Sequence, residues 1–214
     1  MSETSESPRG AVITRKTHPY LIATILGIVG LALCMVIVRN GDVSDLEKSV
    51  FATVNGLPDA LRIPMWLFQI FGSLAFVAVA AVAAFATRRR RVGLALILAI
   101  PLKLAFEWWV VKALVERERP FLALPDAVIR EVNSSPLGFP SGHAIFAFIL
   151  AGLLAPYLSR RATVIVYSLA AMNSLARVYL GAHLPLDVVA GAALGIAIAA
   201  GLNLMVGTPR DDRL

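Results

Sequence analysis

Six long runs of apolar residues constrain this chain more than any other feature: Tyr20–Val38, Pro64–Ala86, Val92–Val111, Ala144–Leu158, Thr163–Leu180 and Leu184–Val206. A helix needs roughly 20 apolar residues (about 17–25) to cross the hydrocarbon core of a bilayer. The fourth run is short, but Phe139 and the small residues before it extend it. Backbone groups in lipid must find partners within their own element, so each run is expected to be a helix. The composition agrees: 58% of the residues are hydrophobic and 16% charged, against about 45–50% and about 25% in soluble domains. The expected fold is all-α, a polytopic membrane protein with a six-helix bundle.

The net charge of +6 does not point to nucleic acid, because its distribution follows the loops. Basic residues gather at Arg15-Lys16, at Arg88–Arg91, at Arg160-Arg161 and at Arg210 and Arg213, which are the N-terminus, every second loop and the C-terminus. The Arg39–Arg62 loop instead carries Asp42, Asp45, Glu47 and Asp59. Short cytoplasmic loops hold the Lys/Arg excess. Both termini are therefore expected in the cytoplasm, with the 39–62, 112–143 and 181–183 connections outside. The first run is too long for a signal-peptide core and has no small-residue cleavage site behind it, so it reads as a retained anchor. Residues 1–14 and 207–214 read as tails, the first disordered for want of apolar residues, and residues 15–206 as one domain without internal repeats. The single cysteine, Cys34, permits no disulfide or thiolate metal cluster within the chain.

Shorter features lie between the runs and within the third. Over residues 42–61, Val43, Leu46, Val50, Val54 and Leu57 recur at three- and four-residue steps, which predicts an amphipathic helix at the outer surface. Asp42 with Asp45 is its expected cap. Lys103 and Glu107, four apart in the third run, share a helix face. Each charge costs about 2.5–3.5 kcal/mol at mid-membrane, so a structural ion pair is expected; a transporter or channel pathway is the alternative. Trp108 and Trp109 suit an interfacial aromatic belt.

Three polar clusters then fall on the outer side by the charge rule. They are "KALVERERP" from Lys112 to Arg119-Pro120, Pro140-Ser141-Gly142-His143, and "ARVYLGAHLPLD" with Arg177, His183 and Asp187. Three cations, two histidines and a carboxylate suit a phosphate ester. Arg grips phosphate oxygens bidentately and Lys acts as a point charge. Ser141 is a good N-cap, and a helix start with Gly142 presents backbone N–H groups to an anion. One histidine can attack phosphorus while another protonates the leaving oxygen. Asp187, four residues after His183, is placed to hold that ring in its attacking tautomer. Glu116 and Glu118 are expected to balance neighbouring cations.

The ordered pattern Lys112-x6-Arg119-Pro120, Pro140-Ser141-Gly142-His143 and Arg177-x5-His183-x3-Asp187 resembles the signature of the type 2 phosphatidic acid phosphatase superfamily, in its membrane branch. One departure is Ala176 before Arg177, where the family usually has serine. The resemblance implies His183 as nucleophile, His143 as general acid and Asp187 as the residue orienting His183. Lys112, Arg119, Arg177, Ser141 and Gly142 would bind the phosphate, and no metal or cofactor is implied. It implies a plasma-membrane phosphatase acting on a lipid phosphate. Polyprenyl (undecaprenyl) pyrophosphate is the first expectation, followed by phosphatidylglycerophosphate, phosphatidate and a lipid A phosphate.

The sidedness is testable in spheroplasts after Cys34→Ala. A membrane-impermeant thiol reagent is expected to label Asp126→Cys and to spare Arg89→Cys; the reverse pattern overturns the topology.

Overall fold

The computed structural model describes residues 17–131 and 135–208. The tail expected at 1–14 lies outside these residues, as does that at 207–214 apart from Gly207 and Thr208. Ten α-helices follow in order: α1 (His18–Val38), α2 (Asp45–Asn55), α3 (Arg62–Ile70), α4 (Leu74–Ala86), α5 (Arg90–Leu104), α6 (Lys112–Leu114), α7 (Pro120–Ala123), α8 (Gly142–Leu154), α9 (Arg160–Tyr179) and α10 (Pro185–Val206). No strand occurs among the described residues, only an isolated antiparallel bridge between Glu118 and Leu137. Three helices are long and apolar enough to cross a membrane, His18–Val38, Arg90–Leu114 and Pro185–Val206, and a bent pair makes a fourth candidate. Large apolar side chains such as Leu26, Val36, Val79 and Val82 stay exposed along these helices. That surface is stable only against lipid, and the chain is a multi-pass membrane protein.

The bundle is organised around α10, which packs against α1 on one side and α8 on the other. Small residues make this possible. Beside Gly191 lie the Ser141 carbonyl and the Ala144 methyl, and beside Gly195 lie the Ile145 carbonyl and the Phe148 Cβ. Two glycines four apart let two backbones touch, the device that replaces hydrophobic driving force between helices in lipid. On the other face, Gly27 of α1 sits against the Ala193 carbonyl and Ala197. Buried Leu194, Ile198 and Leu202 fill the core with Ile145, Ile149 and Leu153 of α8. Arg89, just before α5, lies over the Tyr157 ring at 5.9 Å. The Arg88–Arg91 turn and the segment leading into Arg160-Arg161 thus meet at one end of the bundle. The C-terminus of α6, the N-terminus of α8, the C-terminus of α9 and the N-terminus of α10 meet at the other.

Two sequence expectations need correction. The run Pro64–Ala86 is not one helix: α3 and α4 meet at a 46° bend. Gly72 at the bend lies against the His143 carbonyl and the Asn173 amide, while Asn173 donates to the Gln69 carbonyl at 2.9 Å. Ser73 then caps α4 by accepting from the Phe76 N–H at 3.1 Å. The amphipathic helix is present as α2, but its cap is Ser44, which accepts from the Glu47 N–H at 3.3 Å, not Asp42 with Asp45. Its inward face is partly polar. Glu47, Phe51 and Asn55 are buried, whereas Leu46 is 77% and Val50 44% exposed. Polar partners outweigh apolar periodicity here, because Asn55 exchanges two hydrogen bonds with the Val128 backbone, at 2.9 and 2.8 Å. Arg130 completes this anchor by donating to the carbonyls of Asn55 and Tyr179 at 2.7 and 2.9 Å, which closes the C-termini of α2 and α9.

If α8 and α10 depend on backbone contact, adding one methyl there is costly. Gly195→Ala puts a Cβ against the Ile145 carbonyl and is expected to lose about 1–3 kcal/mol through overpacking. Gly201→Ala meets nothing within 4 Å and is expected to be neutral or slightly stabilising. Thermal unfolding in detergent compares the two; equal midpoints would refute this packing account.

Candidate active site

The first motif region begins where α5 gives way to a π-helical stretch, Ala105–Val111. Closure from i to i+5 brings Glu107 toward Lys112, at 3.6 Å, while Lys103 forms an ion pair with the same carboxylate. The expected intramembrane pair is thus present, shared by a second lysine. Gly142 faces it: a side chain there would run into the Lys103 ammonium and the Glu107 carboxylate. The need for glycine at this position therefore has a packing cause. Lys112 is buried and its Nζ lies 3.5 Å from the carbonyls of Leu137 and Phe139. Trp108 and Trp109 remain exposed, as a belt requires.

After α6 the chain is extended, so successive side chains point to opposite sides. Glu116 and Glu118 face outward while Arg117 and Arg119 are buried. This corrects the expectation that the two glutamates balance the cations; neither has an ion pair among the described residues. Arg117 is completely buried and its charge is met by Glu47 and Asp187, with Nη1 at 3.1 Å and 3.0 Å respectively. Residues 117–119 pair with 136–138 through Gly138 N–H to the Arg117 carbonyl at 2.7 Å and Arg119 N–H to the Pro136 carbonyl at 2.9 Å. Arg119 then donates from Nε to the Ser135 carbonyl and from Nη1 to the Ala182 carbonyl, both at 2.7 Å.

Ser141 caps α8 as expected, accepting from the Ala144 N–H at 3.5 Å. Its own N–H donates to the Asp187 carbonyl at 2.9 Å, which ties the first turn of α8 to that of α10. His143 follows in that turn, half-buried. Arg177, in the last turn of α9, is buried; its Nη1 bonds to Gln69 and, at 2.7 Å, to Glu131. Its Nε has no hydrogen-bond partner. Ala176 turns away into an apolar cluster with Met65, Tyr179 and Leu180, where a serine hydroxyl would find no obvious use.

Between α9 and α10 the chain reverses at Gly181, whose φ of +72° is one that side-chain-bearing residues rarely adopt. The reversal brings the Ala182 and His183 N–H groups back to the Arg177 carbonyl, at 3.1 and 3.2 Å. His183 is thereby fixed and buried. Its Nε2 lies 3.2 Å from Arg119 Nη1, and its Nδ1 lies 3.5 Å from Asp187 Oδ2. That separation is a close approach and not a formed hydrogen bond, since Nδ1 is without a partner. Asp187 Oδ2 instead accepts from the Leu184 N–H at 2.9 Å. Burial pushes the His183 pKa well below its usual value, with the charges of Arg177, Arg119 and Lys112 acting in the same direction. The imidazole is neutral at neutral pH, with a lone pair available.

The structure thus gathers Lys112, Arg119, Ser141, Gly142, His143, Arg177, His183 and Asp187 at one end of the bundle. Sequence reasoning missed Arg117, Glu47, Gln69 and Glu131. Arg117 stood in an unassigned motif position, and the other three lie far from the motif residues they touch. Among the described residues, no group of three or more His, Cys, Asp or Glu side chains is placed to hold a metal ion.

Comparison with known proteins matches this geometry to a family. The undecaprenyl-diphosphatase of Sulfolobus acidocaldarius is 28% identical over 150 residues, 70% of this chain and 69% of that protein. The crystal structure of Aquifex aeolicus LpxE superposes with a TM-score of 0.66 at 27% identity, over 75% of this chain and 96% of that one. The PAP2-type phosphatidylglycerolphosphate phosphatase from Bacillus subtilis has the same fold, with a TM-score of 0.67 at 21% identity over 85% of this chain and 94% of that one. The family model of the PAP2 superfamily matches residues 91–211, which hold all three motifs, and the chain belongs to that superfamily of lipid phosphatases.

Proposed function

We propose that this protein hydrolyses a polyprenyl pyrophosphate of the undecaprenyl type at the outer face of the plasma membrane, through a phosphohistidine and without a metal. One observation carries the chemistry: His183, buried and neutral, has one ring nitrogen beside Arg119 and the other beside Asp187. His183 Nε2 attacks the terminal phosphorus, and a P–N bond forms as the P–O bond to the lipid-bearing group breaks. His143, as general acid, gives its proton to the leaving oxygen. Water then attacks the phosphohistidine and gives its proton to His143, and the P–N bond breaks to free inorganic phosphate. Asp187 stabilises the positive charge that the His183 ring carries between these steps.

Electrostatic stabilisation comes from the surrounding cations. Lys112, Arg119 and Arg177 receive the phosphate oxygens, with the N-terminus of α8 at Ser141-Gly142 adding N–H donors. Arg177 is held by Glu131, and its Nε, unpartnered among the described residues, supplies a donor for an oxyanion that takes the place of that carboxylate. Among the described residues Arg119 is bonded only to carbonyls and His183, so its charge is open to a phosphate. The intramembrane pair Lys103–Glu107 closes on itself and on Lys112, which supports the phosphatase reading over a transport pathway. The relative from Sulfolobus acidocaldarius favours a polyprenyl pyrophosphate over phosphatidylglycerophosphate, phosphatidate or a lipid A phosphate.

The sidedness follows from six crossings: α1, α3 with α4, α5 through α6, α8 with its following turn, α9 and α10. Support comes from the meeting of Arg89 with Tyr157, which gathers the basic loops at the end away from the site. By the charge rule that end is cytoplasmic.

A panel of lipid phosphates offered to the detergent-purified protein tests this reading. Polyprenyl pyrophosphate is expected to turn over fastest, with activity that survives EDTA and is blocked by vanadate. A strict requirement for added magnesium contradicts the mechanism. His183→Ala is expected to lose essentially all turnover while still binding lipid phosphate. His143→Ala is expected to lose about 10²–10⁴-fold, and less with pyrophosphate than with a monoester, whose leaving group is poorer.

A further inference from the structure

Asp187 does not stand alone behind His183. Its Oδ1 accepts from Arg117 Nη1 at 3.0 Å. The same guanidinium holds Glu47 through both of its terminal nitrogens and donates from Nη2 to the Asp42 carbonyl at 3.2 Å. Glu47 Oε1 in turn accepts from the Leu186 N–H at 2.8 Å, an orphan donor in the first turn of α10. A chain of contacts therefore runs from α2 through Arg117 to the carboxylate and the helix start that carry Asp187. Arg117 and Asp187 are completely buried and Glu47 is nearly so.

A buried charge pair held at this many points is rigid, because loss of any partner leaves an uncompensated charge. The geometry has a purpose at Asp187. Its Oδ2 is already committed to the Leu184 N–H, and Nδ1 of His183 stands 3.5 Å away. The direction of the carboxylate is thus set by what grips Oδ1, and that is Arg117. Arg117 alone would be free to turn; Glu47 fixes its plane with a two-point contact, the strongest arrangement open to an arginine and a carboxylate.

We propose that Glu47 and Arg117 are positioning residues of the catalytic site, which make the surface helix α2 part of the machinery that aims His183. This rests on the reading of Asp187 as the residue that orients His183. Glu47 lies outside the matched family region, residues 91–211, and far from the three motifs, so its contribution is a feature of how α2 docks in this chain. The burial of Glu47 on α2, beside exposed Leu46 and Val50, has its explanation here.

The test measures kcat and KM of the full chain in detergent with farnesyl diphosphate as a short polyprenyl pyrophosphate, alongside thermal unfolding. Glu47→Gln keeps the size of the side chain and one acceptor but turns a donor toward Arg117. Arg117→Lys keeps the charge but not the fork. Each is expected to lower kcat about 10- to 100-fold, the scale of a misplacement near 1 Å, with KM changed less than about threefold. Asn55→Ala loosens the same helix without touching Arg117; it is expected to lower the unfolding midpoint while keeping kcat within about threefold. Asp187→Asn is expected to lose at least as much as Glu47→Gln. Normal kcat in Glu47→Gln and Arg117→Lys beside a crippled Asp187→Asn overturns the positioning role and leaves that of Asp187 intact. Normal kcat in Asp187→Asn overturns the underlying reading. A rise in KM alone, or an equal loss of kcat in Asn55→Ala, assigns the pair to binding or to general stability and also overturns the proposal. If Glu47→Gln does not fold, Arg117→Lys and Glu47→Asp carry the same expectations.

Discussion

Burying several cations side by side at one end of a membrane bundle is the constraint on which the rest of this structure depends. Lys103, Lys112, Arg117, Arg119 and Arg177 are each less than 10% exposed. An ion taken out of water costs several kcal/mol unless its charge is met. Four carboxylates meet it: Glu107 between the two lysines, Glu47 and Asp187 on Arg117, and Glu131 on Arg177. Each comes from a different part of the chain, so electrostatic compensation dictates where α2, the π-helical stretch, the 124–131 loop and α10 must sit. Among the described residues Arg119 has carbonyls and a histidine in place of a carboxylate, and the cluster keeps an excess of one positive charge. An anion completes it.

The apolar architecture serves this cluster by holding four chain ends in register. Glycines along α10 bring its backbone against α8, and the Ser141 N–H to Asp187 carbonyl bond fixes the two helix starts relative to each other. Gly181 and the Arg177 carbonyl then place His183 between them. The register of these chain ends derives from backbone contact between helices, and small residues are concentrated in α10, which packs against both α1 and α8.

Much of this was legible in the sequence. Apolar run lengths pointed to an all-helical membrane protein, and the three motifs named residues that the fold brings together at one end of the bundle, because each carries its chemistry in its own side chain. What remained hidden has physical causes. The break at Gly72 rests on a tertiary contact with the His143 carbonyl, which no local pattern encodes. The helical period of Leu46 and Val50 does not tell which face of α2 is buried in the fold. Burial there is decided by a glutamate and an asparagine whose partners lie about 70 residues away. Arg117 falls at an unassigned motif position between Glu116 and Glu118, and only the extended backbone, alternating sides, shows that it points inward. Nothing in the sequence tells that Glu131 pairs with Arg177, since a pairing across the fold leaves no trace at either position.

The central claim is that His183 becomes covalently bonded to phosphorus. Brief incubation with substrate labelled in the terminal phosphate, quenched in alkaline detergent, tests it most directly. An alkali-stable, acid-labile label on the peptide containing His183 is the predicted result. A label on a different residue, or turnover that proceeds with no covalent phosphate trapped at the earliest times, would contradict the account.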